Sequence, residues 1–246
     1  MSQPLQHYGN QLVQQAAELG LTVTTTQQHQ FEQYLALLLA WNERMNLTAI
    51  REPEEIVTRH FLDGLSCALV TADLNQSRLI DVGTGAGFPG LPLKILYPEL
   101  QLTLVDSVAK KTDFLRAVVA ELGLTGVTVV AERAEIIGRL PQHRAQYDWA
   151  VARAVAELRV LLEYLLPLCR PGGHLLAQKG ASAEQEVAEA GPALQTLGGQ
   201  VVQVKPVQLP PPAEPTTPHY IVVVAKQAAT PDRYPRRVGI PTKRPL

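Results

Sequence analysis

The segment Leu79-Ile80-Asp81-Val82-Gly83-Thr84-Gly85-Ala86-Gly87-Phe88-Pro89-Gly90 constrains this chain more than any other. Apolar residues lead into an acid, four glycines follow within eight positions, and Pro89 and Pro92 open an apolar helical stretch. That order predicts a strand, a tight turn and a helix start, where an α/β sheet receives a nucleotide-like ligand. Asp81 narrows the ligand. A carboxylate at the strand end repels a pyrophosphate and suits a cationic amino acid. S-adenosylmethionine carries an ammonium and a sulfonium and no phosphate, so the segment points to a methyl-transferring enzyme.

A second reading competes. Gly85-Ala86-Gly87-Phe88-Pro89-Gly90 also spells G-x-G-x-x-G, and Asp106 follows about twenty residues on, as a dinucleotide fingerprint asks. Asp81 inside the turn speaks against it. So does Pro89, which removes an N–H that a phosphate would use.

The surroundings support an α/β fold. Residues 1–75 read as helical, with Phe31, Leu35, Leu38, Leu39 and Met45 on one face of a helix near 28–46 and a second helix near 54–70. From residue 78, strands predicted at 78–83, 101–106, 127–132, 147–152, 173–179, 200–208 and 219–226 alternate with helices at 90–97, 108–122, 135–140, 156–169 and 183–197. Alternation implies a mostly parallel sheet with helices on both faces. Only a Pro-rich connection, 209–218, joins the last two strands, so an antiparallel hairpin with a reversed edge strand is expected there. The expected organisation is a helical extension (1–75), an α/β domain (76–228) and a basic, Pro-rich tail (229–246) docked on it.

Composition excludes other classes. An apolar share of 46% supplies a core, and a net charge of −1 argues against a general polyanion binder. Cys67 and Cys169 form no C-x-x-C, which predicts reduced cytosol and no zinc or other metal site. No apolar run reaches membrane-spanning length and no basic-then-apolar leader is visible, so a cytoplasmic protein without membrane contact is expected.

Chemistry-bearing residues gather at the predicted strand ends. Asp106 is placed to accept hydrogen bonds from ribose hydroxyls, with a helix N-cap as its alternative role, one that Ser107 would serve equally. Glu135, after Ala134, lies where an adenine would sit or caps its short helix. Arg153 ends the fourth strand opposite a reacting group. Lys110, Lys111 and Lys179, with Arg236, Arg237 and Lys243 of the tail, are candidate RNA contacts; residues 232–246 hold five basic residues and one acid. The fourth strand ends in Val151-Ala152-Arg153-Ala154, without the acid or Asn, two prolines and aromatic that amine methylation uses. Pro210-Pro211-Pro212 lies in the wrong element for it. Leu168-Cys169-Arg170 is not a cytosine-C5 nucleophile motif. A nucleophile needing no activation remains; guanine N7 is one, and it asks for positioning rather than a general base.

Together these residues resemble the bacterial small-subunit ribosomal RNA guanine-N7 methyltransferases, the glucose-inhibited-division-B family. The likeness runs from about residue 38 to the end: Trp41-Asn42 with Met45-Asn46-Leu47-Thr48, Arg59-His60-Phe61-Leu62-Asp63-Gly64-Leu65, Asp81 to Pro92, Leu104-Val105-Asp106-Ser107 with Lys110-Lys111, Arg133-Ala134-Glu135, Arg153-Ala154, Pro171-Gly172-Gly173, Lys179-Gly180 and Tyr234-Pro235-Arg236-Arg237 with Gly239, Pro241 and Pro245-Leu246. Gly64 departs from the family, where serine is common. The resemblance implies a class I, Rossmann-like fold with seven strands, and a cytoplasmic, monomeric enzyme acting on one guanine in the decoding region of 16S rRNA, free or in the small ribosomal subunit. It implies that S-adenosylmethionine lies against Gly83, Phe88, Ala134, Glu135 and Arg153; the reading of the glycine turn and the second strand end adds Asp81, Gly85, Asp106 and Ser107 to the expected cofactor contacts. A non-enzymatic ribosome-assembly factor on the same fold, and a methyltransferase acting on protein or small molecules, are the rival functions.

Overall fold

The computed structural model describes residues 3–210 and 218–246. Pro211, Pro212 and most of the predicted Pro-rich connection lie outside the described residues.

Helix α1 (Gln3–Glu18) packs on α2 (Thr25–Met45). Thr24 and Gln27 form a reciprocal capping box at the start of α2, and Asn46 closes its end in the left-handed conformation. Phe31, Tyr34, Leu35, Leu38 and Asn42, at spacings of three and four, make its buried face. The predicted helix 54–70 is four short pieces: α3 (Pro53–Ile56), a π-helical turn (Val57–Leu62), α4 (Asp63–Leu65) and a 3-10 turn (Ser66–Leu69). A π-turn shifts the faces of the residues beyond it, a distortion that occurs at functional sites. Here it carries Arg59 and His60 and leads straight into Asp63.

The sheet contains β1 (Arg78–Val82), β2 (Gln101–Asp106), β3 (Val127–Ala131), β4 (Tyr147–Arg153), β5 (Cys169–Lys179), β6 (Gly199–Val207) and β7 (His219–Lys226), in the order β3-β2-β1-β4-β5-β7-β6. The helices between are α5 (Gly90–Leu96), α6 (Ala109–Glu121), α7 (Ala134–Ile137), α8 (Leu158–Leu165), α9 (Ala183–Glu189) and α10 (Gly191–Leu197); α11 (Ile240–Lys243) lies in the tail. The predicted helix 183–197 divides at Gly191-Pro192, because Pro192 lacks the N–H an unbroken helix needs. Likewise α8 stops before Pro167, and β5 starts early, with an irregular register around Pro171-Gly172.

The seven-stranded, mostly parallel sheet agrees with the sequence expectation, with one correction. The reversed strand is β7, antiparallel to both β5 and β6, and it lies one place inside the edge. Burial decides this. Ile221, Val222, Val223 and Val224 are all buried, as a strand covered on both faces requires. Strand β6 carries Gln200, Gln203, Lys205 and Pro206, and such residues protect an exposed edge.

Strand residues alternate between two cores. Leu79, Leu102, Leu104, Val151 and Leu176 join Phe31, Tyr34, Leu38, Phe61 and Leu65 on one face. Ile80, Val82, Val105, Ala150 and Leu175 meet Leu161, Leu162 and Leu165 of α8 on the other. The N-terminal helices thus share a core with the sheet. Each fully buried Leu or Phe there contributes about 1.5–3 kcal/mol of transfer free energy.

Candidate active site

Two cavities meet at the carboxyl ends of the strands, the place where open α/β sheets bind ligands. The crevice is lined by Gly83, Asp106, Ser107, Ala134, Glu135, Val155, Ala156, Tyr164 and Thr242, among others. The larger cavity, about 380 Å³, is lined by His60, Asp63, Arg153, Gln178, Lys179, His219 and Tyr220, among others. The end of β4 is their common wall: Arg153 and Ala154 face the larger cavity, Val155 and Ala156 the crevice.

The glycine turn is held by β2. Gly83 N and Thr84 N both donate to Val105 O, at 2.8 and 3.1 Å. Gly83 has φ +72°, and a Cβ there would lie 2.6 Å from Val155 Cγ2, so both conformation and space demand glycine. Asp81, expected to face the ligand, lies fully buried beneath the turn. Its Oδ2 accepts from Thr84 Oγ1 at 2.7 Å and Gly90 N at 2.8 Å, while Oδ1 has no partner among the described residues. Burial pushes its carboxyl up to about 6, against the lowering effect of these two hydrogen bonds.

Asp106 does two jobs at once. Its Oδ2 accepts from Gly85 N at 3.0 Å and its Oδ1 from Val108 N at 2.9 Å, so it braces the turn and the entry to α6. Each oxygen keeps a lone pair, and the residue lines the crevice. The ribose role expected from the sequence is therefore geometrically available, whereas the N-cap role is not filled by Asp106 or Ser107: Val108 is the N-cap of α6 and no side chain caps it. Ser107 and Lys110 are exposed beside it and Lys111 is half-buried.

Phe88 is buried, not open to the crevice. It stacks with His60 and Tyr34, at centroid distances of 4.7 and 5.6 Å, and the Arg153 guanidinium lies 4.9 Å from its centroid. Tyr34 donates to the Ala86 carbonyl, tying α2 to the turn. Arg153 also points inward. Its Nη1 donates to Asp63 Oδ2 at 2.8 Å and to Arg59 O at 3.1 Å, and its Nη2 lies 3.1 Å from His60 Nδ1. The Arg153–Asp63 pair is 17% and 6% exposed, so it is a strut between β4 and the N-terminal helices.

Asp63 is the hub of this cluster. Its Oδ1 meets His219 Nδ1 at 3.3 Å. Burial raises its pKa, but His219 and Arg153 outweigh burial and hold the carboxyl below its usual range. The same contact raises His219. His60 goes the other way: burial and the neighbouring Arg153 push it down to about 3. His60 Nδ1 lies 3.1 Å from both Arg153 Nη2 and the Arg59 carbonyl, and its Nε2 lies 2.6 Å from Thr48 Oγ1.

Glu135 is buried. It accepts from Gly239 N of the tail at 2.8 Å, and Tyr164 links it to Thr242. Ala134 lines the crevice beside it. Among the residues expected to face RNA, Arg237 and Lys243 are exposed, but two others are committed internally. Lys179 binds Glu186 at 2.6 Å and Ala156 O at 2.8 Å. Arg236 grips Glu163 in a bidentate ion pair, Nη2–Oε2 2.6 Å and Nε–Oε1 2.9 Å. The tail's basic character misleads at Arg236, because its partner is an acid inside α8 that no local pattern marks. Sequence reasoning misses Glu163, Gln178 and His219: Glu163 and Gln178 lie in apolar runs whose period signals core alone, and His219 stands just ahead of one.

Comparison with known proteins agrees with this architecture. A family model described as "rRNA small subunit methyltransferase G" (GidB) matches residues 27–212. The chain is 56% identical over 237 residues to ribosomal RNA small subunit methyltransferase G of Roseiflexus castenholzii, covering 96% of this chain and 99% of that one. It is 47% identical to the protein of the same name from Deinococcus radiodurans, covering 97% and 93%. Among solved structures, the [4+2]-cyclase SpnF aligns with TM-score 0.56 at 17% identity over 84% of this chain and 98% of that one. The 16S rRNA (adenine(1408)-N(1))-methyltransferase from Catenulisporales acidiphilia aligns with TM-score 0.52 at 19% identity over 63% and 90%. At those identities the structural likeness establishes the fold alone. The near-full-length matches and the family model settle the rest: this chain belongs to the rRNA small subunit methyltransferase G family, GidB.

Proposed function

We propose that this protein transfers the methyl group of S-adenosylmethionine to N7 of one guanine in the decoding region of 16S ribosomal RNA. The observation that carries the reading is the paired cavity at the strand ends, with a glycine turn and an acid on one side of β4 and a cavity walled by aromatic, charged and amide side chains on the other. The crevice fits the donor. Gly83 leaves room for close approach, Asp106 offers free lone pairs to ribose hydroxyls, and the unpaired Asp81 Oδ1 adds negative potential beneath the turn. Ala134 and Glu135, with Tyr164 and Thr242, wall the end where an adenine would rest.

When bound, the donor supplies an electrophilic methyl on a sulfonium. The guanine N7 lone pair forms the new C–N bond while the S–CH₃ pair of electrons leaves with sulfur. No proton moves, so the chain needs no base. One neighbouring group matches that need: His60 is held unprotonated down to about 3 and is a poor proton acceptor. The chain's work is positioning and water exclusion, which can supply several kcal/mol. Arg153 acts from the inside, fixing the end of β4 against Asp63. Exposed Lys110, Arg237 and Lys243 are suited to phosphate contact, with half-buried Lys111 beside them. A monomer in the bacterial cytoplasm, acting on naked RNA or the small subunit, belongs to the same proposal; no described helix is long and apolar enough to cross a membrane.

The test incubates the protein with labelled donor and either small subunits or naked 16S rRNA, then maps 7-methylguanine by borohydride–aniline cleavage. Label at one guanine N7 is expected. Label on adenine, cytosine or ribose overturns the chemistry. Donor binding without transfer to any RNA supports an assembly factor instead.

A further inference from the structure

Gln178, on β5, lines the larger cavity and is 7% exposed. Its Nε2 donates to the Asp63 carbonyl at 2.8 Å. A carbonyl only accepts, so this contact fixes which end of the amide is which. The other end, Oε1, is buried and has no partner among the described residues. An unmade hydrogen bond on a buried acceptor is costly, and folds keep one where a ligand completes it. The same cavity has aromatic walls, His60, His219 and Tyr220, and it meets the crevice across Arg153 to Ala156. Enzymes that modify a base stack it between such rings and read its pairing edge with fixed polar groups.

We propose that this cavity takes the unstacked target guanine and that Gln178 Oε1 accepts a hydrogen bond from its Watson–Crick edge, from N1–H or the N2 amino group. The proposal rests on the function given above and names the residue that makes it guanine-specific. N7 lies on the imidazole ring, outside the pairing edge, so an anchor on that edge leaves N7 free to react. Adenine also has a free N7 lone pair, and N7 alone does not separate the two bases. At N1, however, adenine presents a lone pair, which would face the lone pairs of Oε1. A buried acceptor that only one base satisfies discriminates strongly.

The experiment uses RNA with guanine, inosine (no N2 amino group) or 2-aminopurine (no N1 proton) at the mapped position. Single-turnover methylation is compared between the wild type and Gln178→Leu. The wild type is expected to lose about tenfold or more with at least one analogue. Q178L should be about tenfold slower on guanine, show little further loss with that analogue, and keep its donor affinity within about twofold. Should Q178L lose donor affinity through misfolding, Gln178→Met, unbranched like glutamine, replaces it in the same comparison. Equal sensitivity of wild type and variant to both analogues overturns the proposal while leaving N7 methylation intact. A wild type that does not methylate guanine N7 overturns the broader function and this proposal with it.

Discussion

Replacing Arg236 by alanine separates a structural tail from an RNA-binding one. Glu163 is 1% exposed, and every partner it has among the described residues comes from Arg236: the backbone N at 2.7 Å, Nε at 2.9 Å and Nη2 at 2.6 Å. Arg236→Ala leaves the backbone N–H but strips the countercharge from a buried carboxylate. Removing one partner of such a pair costs about 3–5 kcal/mol, and because Arg236 is a quarter exposed the lower end, about 3 kcal/mol, is expected. For a chain of this size that corresponds to a fall in Tm of about 6–12 °C. The preceding segment stays fastened, since Arg139 and Arg144 donate to the carbonyls of Arg233, Tyr234 and Pro235. Beyond residue 236 the contacts of Gly239 with Glu135 and of Thr242 with Tyr164 loosen, and these form one wall of the crevice. Donor affinity should therefore fall by roughly fivefold, the worth of one hydrogen bond. Thermal melting and calorimetry with S-adenosylmethionine measure both effects. Adding Glu163→Gln to R236A removes the stranded charge and should restore part of the Tm. A phosphate-binding role predicts the reverse pattern: a Tm within about 2 °C of wild type, unchanged donor affinity and a salt slope for RNA binding smaller by about 1. That pattern would refute the anchor.

Three other outcomes follow from the site. Gly83→Val meets both a φ of +72° and a 2.6 Å approach to Val155, so it should abolish measurable donor binding; calorimetric affinity equal to wild type removes Gly83 from the site. Asp81 has a folded-state pKa of about 6, above its unfolded value, so its contribution favours the fold below about pH 4 and is lost as pH rises to about 6, on the order of 3 kcal/mol; urea unfolding should show Asp81→Asn gaining on wild type by that amount between pH 4 and 7.5, and parallel pH curves would contradict the assignment. Asp63→Asn strands Arg153 and should lower stability by about 3 kcal/mol at neutral pH, a loss that narrows toward acid because the wild-type carboxylate's stabilisation disappears as pH falls through its lowered pKa; a pH-independent difference counts against the pairing.

The architecture was legible because period and punctuation agree along the chain. Strand alternation sends Leu79 and Ile80 to different cores, and the glycine run can serve only as a turn. What the pattern missed depends on neighbours distant in sequence. Whether β6 or β7 takes the edge is a competition between two hairpin arms for burial, decided by Lys205 and Pro206 against four buried aliphatics. The π-turn at Val57–Leu62 leaves no periodic signal, because a single extra residue in a helix looks like noise in a moment.

The candidate site divides along the same line. Residues whose role is backbone geometry, such as Gly83, or position at a strand end, such as Asp106, stand out because their identity and spacing carry the information. Asp81, Phe88 and Arg153 stand out equally, yet sequence gives no account of which way each faces. The structure turns all three inward: Asp81 under the turn onto Thr84 and Gly90, Phe88 against Tyr34 and His60, and Arg153 onto Asp63. This arrangement explains why the motif resists reading as a list of ligand contacts. A crevice at the strand ends needs rigid walls, and a buried, hydrogen-bonded ion pair such as Arg153–Asp63 supplies that rigidity. The Arg153–Asp63 strut joins the end of β4, which walls both cavities, to the N-terminal helices. Those helices are thus part of the scaffold that holds the two cavities, and a change at Asp63 should reach the crevice without touching the donor.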